Sequence, residues 1–146
     1  MRLAFTAVLA LVLLSFGGNA FAEDILVIVH KDSGASLSTS QAKALYLGKE
    51  RSIQGHHARV YDRSGDGALR RGFLRKLVGA SEREFDRYWI AKSYRDGASP
   101  PQKLGSGTAV VQAVASSKGA VGYIRAADLP EGANVKVVAR LAGGTK

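Results

Sequence analysis

The chain contains no cysteine. That excludes disulfides, a thiolate metal site and a thiol nucleophile, and leaves the hydrophobic core to carry stability. It also lacks a G-x-S-x-G nucleophile elbow and a G-x-x-x-x-G-K-S/T phosphate loop. Ser64 lies in S-G-D-G instead, and nothing in the pattern marks a histidine as its partner. Asp62 and Asp66 span a strand-to-helix turn, so their spacing does not define an acid–base pair. His56 and His57 are adjacent and point opposite ways on a strand, and His30 is the only other histidine. No metal site, cofactor or catalytic constellation is therefore expected. There is no internal repeat, and no second apolar run of spanning length follows the one at the N-terminus.

That first run is informative. Met1-Arg2 is a short basic start, Leu3–Phe16 is apolar, and Ala20-Phe21-Ala22 is a small-residue cleavage pattern. Residues 1–22 are read as a signal peptide, too short in their apolar core for the ~18 residues a spanning helix needs. No cysteine precedes Glu23, which excludes lipoprotein attachment. The expectation is a soluble protein exported to a bacterial periplasm, with one domain over 23–141 and a frayed tail over 142–146. The net charge is +9, or +8 once Arg2 leaves with the signal. Such a balance usually suggests nucleic acid, but export argues against it. Anionic solutes, an anionic lipid surface or an acidic protein partner remain.

Hydrophobic periodicity then predicts alternating strands and helices. Ile25–Val29 reads as a strand buried on both faces. The polar turn His30–Gly34 follows it, where open α/β sheets place ligands, making Lys31 and Ser33 secondary candidates or simply solvated residues. Ser38 and Gln41 form a capping-box pattern for a helix through Ala42, Leu45 and Tyr46, closed by Gly48. Lys49–His57 reads as a polar loop. Ser81 and Glu84 repeat the capping spacing before a helix whose Phe85, Tyr88 and Trp89 form a core-facing stripe. Arg95–Gly107 is loop-like, and Ser106-Gly107-Thr108 starts a helix that Gly119 stops. Ala120–Ile124 and Val135–Leu141 read as strands, with a short helical turn over Ala126–Leu129. The fold class is α/β: a layered α/β/α domain with a mostly parallel mixed sheet.

The chain is organised around Val60–Phe73, V-Y-D-R-S-G-D-G-A-L-R-R-G-F. A strand end, a glycine-bearing turn and a helix start leave backbone N–H groups and the positive helix end open to an anion. The candidate ligand-binding residues are Arg63, Ser64, Gly65, Asp66 and Gly67, with Ser33. Asp66 is open to a second reading as the helix cap.

These residues, with three further stretches in the same order, resemble the phosphate ABC transporter substrate-binding proteins of the type 2 periplasmic-binding-protein fold. Leu37–Lys49 is similar to the family's helix ending in Tyr/Phe-Leu-Gly-Lys. Val60–Phe73 resembles its strand, Asp-Gly-Ser-Gly-Thr turn and helix. Trp89 sits where a Trp often follows, and Val114–Tyr123 resembles the segment ending in Gly-Ala-Ile-Gly-Tyr. The resemblance covers about Ile25 to Leu129 and implies one lobe of a fold that elsewhere closes two lobes on its anion. It also implies an altered turn: the family's Arg falls at Asp62, its Asp at Ser64, its Ser at Asp66 and its Thr at Ala68. An unpaired carboxylate at Asp66 would oppose phosphate by about 1 kcal/mol at ~4 Å in water.

Two functions follow as expectations. One is weak binding of phosphate or another small anion, accessory to uptake or sensing beside an ABC transporter or a sensor's periplasmic domain. The other is a ligand-free interaction module docking an acidic envelope or sensor partner. A homodimer that rebuilds a closing cleft is open under either. A hydrolase has no supporting constellation.

Overall fold

The computed structural model describes residues 24–33 and 36–143. The expected signal peptide, Gly34 and the last three residues of the tail lie outside the described residues.

Among the described residues, seven strands and four α-helices follow in order: β1 Ile25–His30, α1 Thr39–Tyr46, β2 Ser52–Ile53, β3 His56–His57, β4 Arg59–Arg63, α2 Gly67–Phe73, α3 Glu82–Asp96, β5 Gln102–Leu104, α4 Gly107–Ala115, β6 Ala120–Arg125 and β7 Val135–Leu141. The principal sheet has the order β5-β4-β6-β1-β7. β4 pairs parallel with β5 and β6, whereas β1 pairs antiparallel with β6 and β7. Four strands thus point one way and β1 alone runs against them.

Alternation along the strands divides the interior between two faces. Val27, Val29, Val121 and Tyr123 pack with Tyr46, Phe73, Phe85 and Trp89 from α1, α2 and α3, and with Leu77 just beyond α2. Leu26, Ile28, Tyr61 and Ile124 pack with Val110, Val111 and Val114 of α4. The result is the expected α/β/α layering. Phe73 stacks on Tyr123 at 3.7 Å between ring centroids, and Tyr46 meets Phe73 edge-on at 4.7 Å.

The helix boundaries follow local chemistry. Ser38 and Gln41 form the full capping box of α1, and Gly48 follows its end at φ +67°. Ser81 Oγ accepts from the Glu84 N–H at the start of α3, and Ser106 Oγ accepts from Ala109 N–H at the start of α4. α2 widens into a π-helical turn over Leu74–Val78 before Gly79 at φ +76° ends it.

Four expectations need correction. Lys49–His57 is not a plain loop: β2 and β3 form a hairpin around Gln54 and Gly55, both at positive φ as a two-residue turn requires. The stretch after α3 contains β5, a three-residue edge strand too short to show a period. Gly119 does not stop α4, which ends at Ala115. It is needed where the chain crosses β3, because a Cβ there would lie 2.1 Å from the His57 carbonyl oxygen. The tail is held at its first residues: Gly143 N–H donates to Asp24 Oδ1 at 2.9 Å.

Candidate functional site

β4 carries the central segment to one edge of the sheet. Its alternation sends Val60 and Asp62 to the face covered by α1–α3, and Tyr61 and Arg63 to the face covered by α4. The chain leaving β4 enters α2 on the first face. The chain leaving the adjacent parallel strand β5 enters α4 on the second. Neighbouring parallel strands whose connections depart to opposite faces leave a crevice at their C-terminal ends, where open α/β sheets bind ligands. Ser64–Gly67 and Gly105–Gly107 form its two sides. They are in contact, since Ser64 N–H donates to Leu104 O at 3.0 Å, and a Cβ on Gly65 would lie 3.4 Å from the Gly105 carbonyl oxygen.

Gly65 adopts φ +77°, a conformation that favours glycine. Arg63 lies beneath this turn. It is only 8% exposed, its Nη1 donates to Ser64 O at 2.6 Å, and its Nε has no hydrogen-bond partner among the described residues. It forms no ion pair with a described carboxylate either. At the helix start, Asp66 Oδ1 accepts from Leu69 N–H at 3.1 Å, leaving the N–H groups of Gly67 and Ala68 without an intrahelical acceptor. Ser64 is exposed.

Asp66 is not the unpaired carboxylate that the sequence suggests. Arg125, at the end of β6, grips it with two bonds, Nε to Oδ2 at 2.7 Å and Nη2 to Oδ1 at 2.9 Å. These bonds, helped by the Leu69 N–H, hold the carboxyl down to about 2 from its ordinary 3.8 despite the opposing effect of burial. Its charge is therefore cancelled locally, and it both caps α2 and anchors the turn to β6. As a direct ligand it is a poor candidate, because Arg125 and the cap occupy both oxygens. Asp128 is a further carboxylate at this edge. A Cβ on Gly107 would meet its Oδ2 at 2.6 Å, so it lies against the first turn of α4. Nothing local in the sequence pointed to Arg125 or Asp128.

Ser33 belongs elsewhere. β1 runs antiparallel to β6, pairing Ile25 with Arg125 and Val29 with Val121, so its C-terminal end lies at the opposite edge of the sheet. About five strand steps of ~3.3 Å, roughly 16 Å, separate the two edges. Ser33 is buried there, its N–H donating to His30 O at 3.1 Å. The rule that ligands gather at strand ends holds only for strands that share a direction.

Below the turn, Asp62 joins a buried charge cluster. It is 2% exposed and accepts from Arg70 Nε at 3.0 Å, from its neighbour's N–H at 2.7 Å and from Tyr123 OH at 2.5 Å. Arg70 also reaches Asp86 at 2.9 Å and Glu82 at 3.3 Å. Burial works against the charged guanidinium, but its bonds to Asp86 and Asp62 outweigh this and raise its pKa. Asp62 therefore supports the turn from within the core and is unavailable to a ligand. His56 and His57 are exposed on β3, and among the described residues no group of metal-ligating side chains assembles.

No protein-family model and no curated protein matches the sequence. Solved structures match its fold. An ABC-type phosphate transport receptor from Vibrio cholerae aligns with 78% of this chain at a TM-score of 0.58 and 17% identity. A Clostridium perfringens protein assigned to the phosphate ABC transporter substrate-binding proteins, solved with bound phosphate, aligns with 78% at 0.61 and 21% identity. The aligned parts are 44% and 43% of those chains, so this chain spans less than half the length of either. The likeness is one of fold, and the fold is that expected from the sequence: the layered α/β/α arrangement of one lobe of such a binding protein.

Proposed function

We propose that this domain binds a small oxyanion of the phosphate type in the crevice between the β4–α2 and β5–α4 turns, as a periplasmic accessory to uptake or sensing rather than as an enzyme. Arg63 carries this reading: a buried guanidinium with an unpartnered Nε and no ion-paired carboxylate among the described residues lies beneath a glycine turn at the C-terminal ends of parallel strands. An oxyanion would supply its missing counter-charge through charge-assisted hydrogen bonds. Ser64 would add a hydroxyl, and the N–H groups of Gly67 and Ala68 the donors of a helix start. The Arg125 guanidinium offsets the repulsion that the Asp66 carboxylate would exert on the anion. Affinity is weak because, among the described residues, one guanidinium, one hydroxyl and two backbone N–H groups supply the donors.

Isothermal titration with phosphate, then sulfate, at low and high salt tests this. Saturable heat that survives high salt and is lost in Arg63→Ala is the expected result. Heat that disappears with salt would reflect only the overall positive charge. Asp128 favours a second reading, because its carboxylate already lies at the start of α4, where the helix dipole attracts an anion. On that reading the fold is a ligand-free module that docks an acidic partner, such as a transporter or sensor domain or an envelope complex, and neither anion gives heat.

A further inference from the structure

A separate concavity lies at the other end of β4, away from the Ser64 turn. A cavity of ≈ 450 Å³ opens there beside β4 and β5, between the end of α1, the β2–β3 hairpin and the loop that follows α3. Its volume falls within the range of small-molecule sites, about 300–1,000 Å³. Leu45, Val60 and Trp89 supply apolar lining, and Pro100 and Pro101 line the same space. Trp89 is held in place by its Nε1 bond to Tyr46 O at 3.1 Å and is the single tryptophan of the chain.

The charges that line this cavity are unequal. Asp96 is bound by Lys92 at 3.2 Å and Arg95 at 3.3 Å, and Glu50 Oε1 takes hydrogen bonds from Arg51 N–H and Ser52 Oγ. Arg51 and Arg59 line the cavity, are exposed, and form no ion pair with a described residue. Asp96 is thus ion-paired and Glu50 only hydrogen-bonded, so two guanidiniums without an ion pair among the described residues face one carboxylate without one. We infer that this cavity binds a small carboxylate with a flat apolar body, its acid group taken by Arg51 and Arg59 and its ring lying against the Trp89 wall. Arginine matches a carboxylate with two parallel donors, and an aromatic wall favours a ring over a hydrated ion. The site is independent of the oxyanion crevice, because the cavity takes the Arg59–Tyr61 end of β4 and the crevice the Arg63 end.

Tryptophan emission tests this directly. The probe is 4-phenylbutyrate titrated into the protein, with 4-phenylbutan-1-ol as its uncharged counterpart and phosphate as a competitor. The expected result is a saturable change in Trp89 emission with 4-phenylbutyrate at about millimolar Kd or tighter. The alcohol binds at least about tenfold more weakly, and so does the acid to the Arg51→Ala/Arg59→Ala variant. Ala98→Phe, which adds a ring to the cavity wall, removes the response. Phosphate does not displace the acid. No saturable change up to about 10 mM acid overturns the inference. Equal affinity for acid and alcohol, equal affinity in the double-arginine variant, or displacement by phosphate also overturns it. The two arginines are exposed, so their removal leaves the fold intact and keeps the test decisive if Ala98→Phe fails to fold.

Discussion

Replacing Asp66 with Asn separates the two roles of this residue. Asparagine caps a helix about as well as aspartate, so the bond to Leu69 N–H is kept. The charge is lost, and with it the bidentate pair to Arg125 at 2.7 and 2.9 Å. The two side chains are 22% and 31% exposed, which places the pair between a solvent-screened and a buried ion pair. Its loss costs about 1 kcal/mol, lowering Tm by ~4 °C in a domain of this size. Anion binding moves the other way. Removing one negative charge from beside the crevice favours an oxyanion by about 1 kcal/mol at ~4 Å in water and more where water is excluded, so phosphate binds at least ~5-fold tighter. Calorimetric titration at low salt, with a thermal melt of the same preparation, reads both quantities. A destabilised protein that binds phosphate better is the expected outcome. An unchanged or weaker affinity would refute the placement of the anion at this turn.

Other consequences are structural. Arg70→Leu leaves Asp62 buried without its counter-charge and costs about 3–5 kcal/mol in urea unfolding, whereas Asp62→Leu/Arg70→Leu costs much less. Additive losses in that double-mutant cycle would contradict the pairing. Gly119→Ala forces a Cβ to within 2.1 Å of the His57 carbonyl oxygen, and backbone cannot yield cheaply. A loss of about 1–3 kcal/mol is expected, and a wild-type melt would place β3 elsewhere. Asp66 also predicts the sign of an acid response. Its folded pKa of about 2 lies below its ordinary 3.8, so its stabilisation is complete above the ordinary value and is lost as pH falls through about 2. Urea midpoints at about pH 5 and about pH 2 should therefore fall less in Asp66→Asn than in the wild type, and equal falls would contradict it.

A shared fold does not carry a function with it, which is why the oxyanion reading rests on Arg63 and its surroundings rather than on the likeness to phosphate receptors. Residues of the expected turn do meet in space: Arg63, Ser64, Gly65 and Gly67 stand around one crevice. The same geometry withdraws Ser33 and turns Asp66 from a candidate ligand into an anchor.

Features set by near neighbours were legible in the residues alone. Ser38 with Gln41, Ser81, Asp66 and Ser106 each mark a helix start, because a side-chain oxygen reaches an N–H only three residues away. The all-apolar run at Ile25 and the β-branched run at Val135 marked strands for the same local reason. Strand direction was decided otherwise. Periodicity reports which faces a strand buries but not which way its partner runs, so β1 read as a buried strand and only its antiparallel pairing with β6 and β7 carried Ser33 to the far edge. The Asp66–Arg125 pair joins residues 59 apart, and Gly119 meets His57 across the fold. Local chemistry determines where an element begins and ends. The charge balance of the crevice depends on which distant elements the packed sheet brings to the same edge.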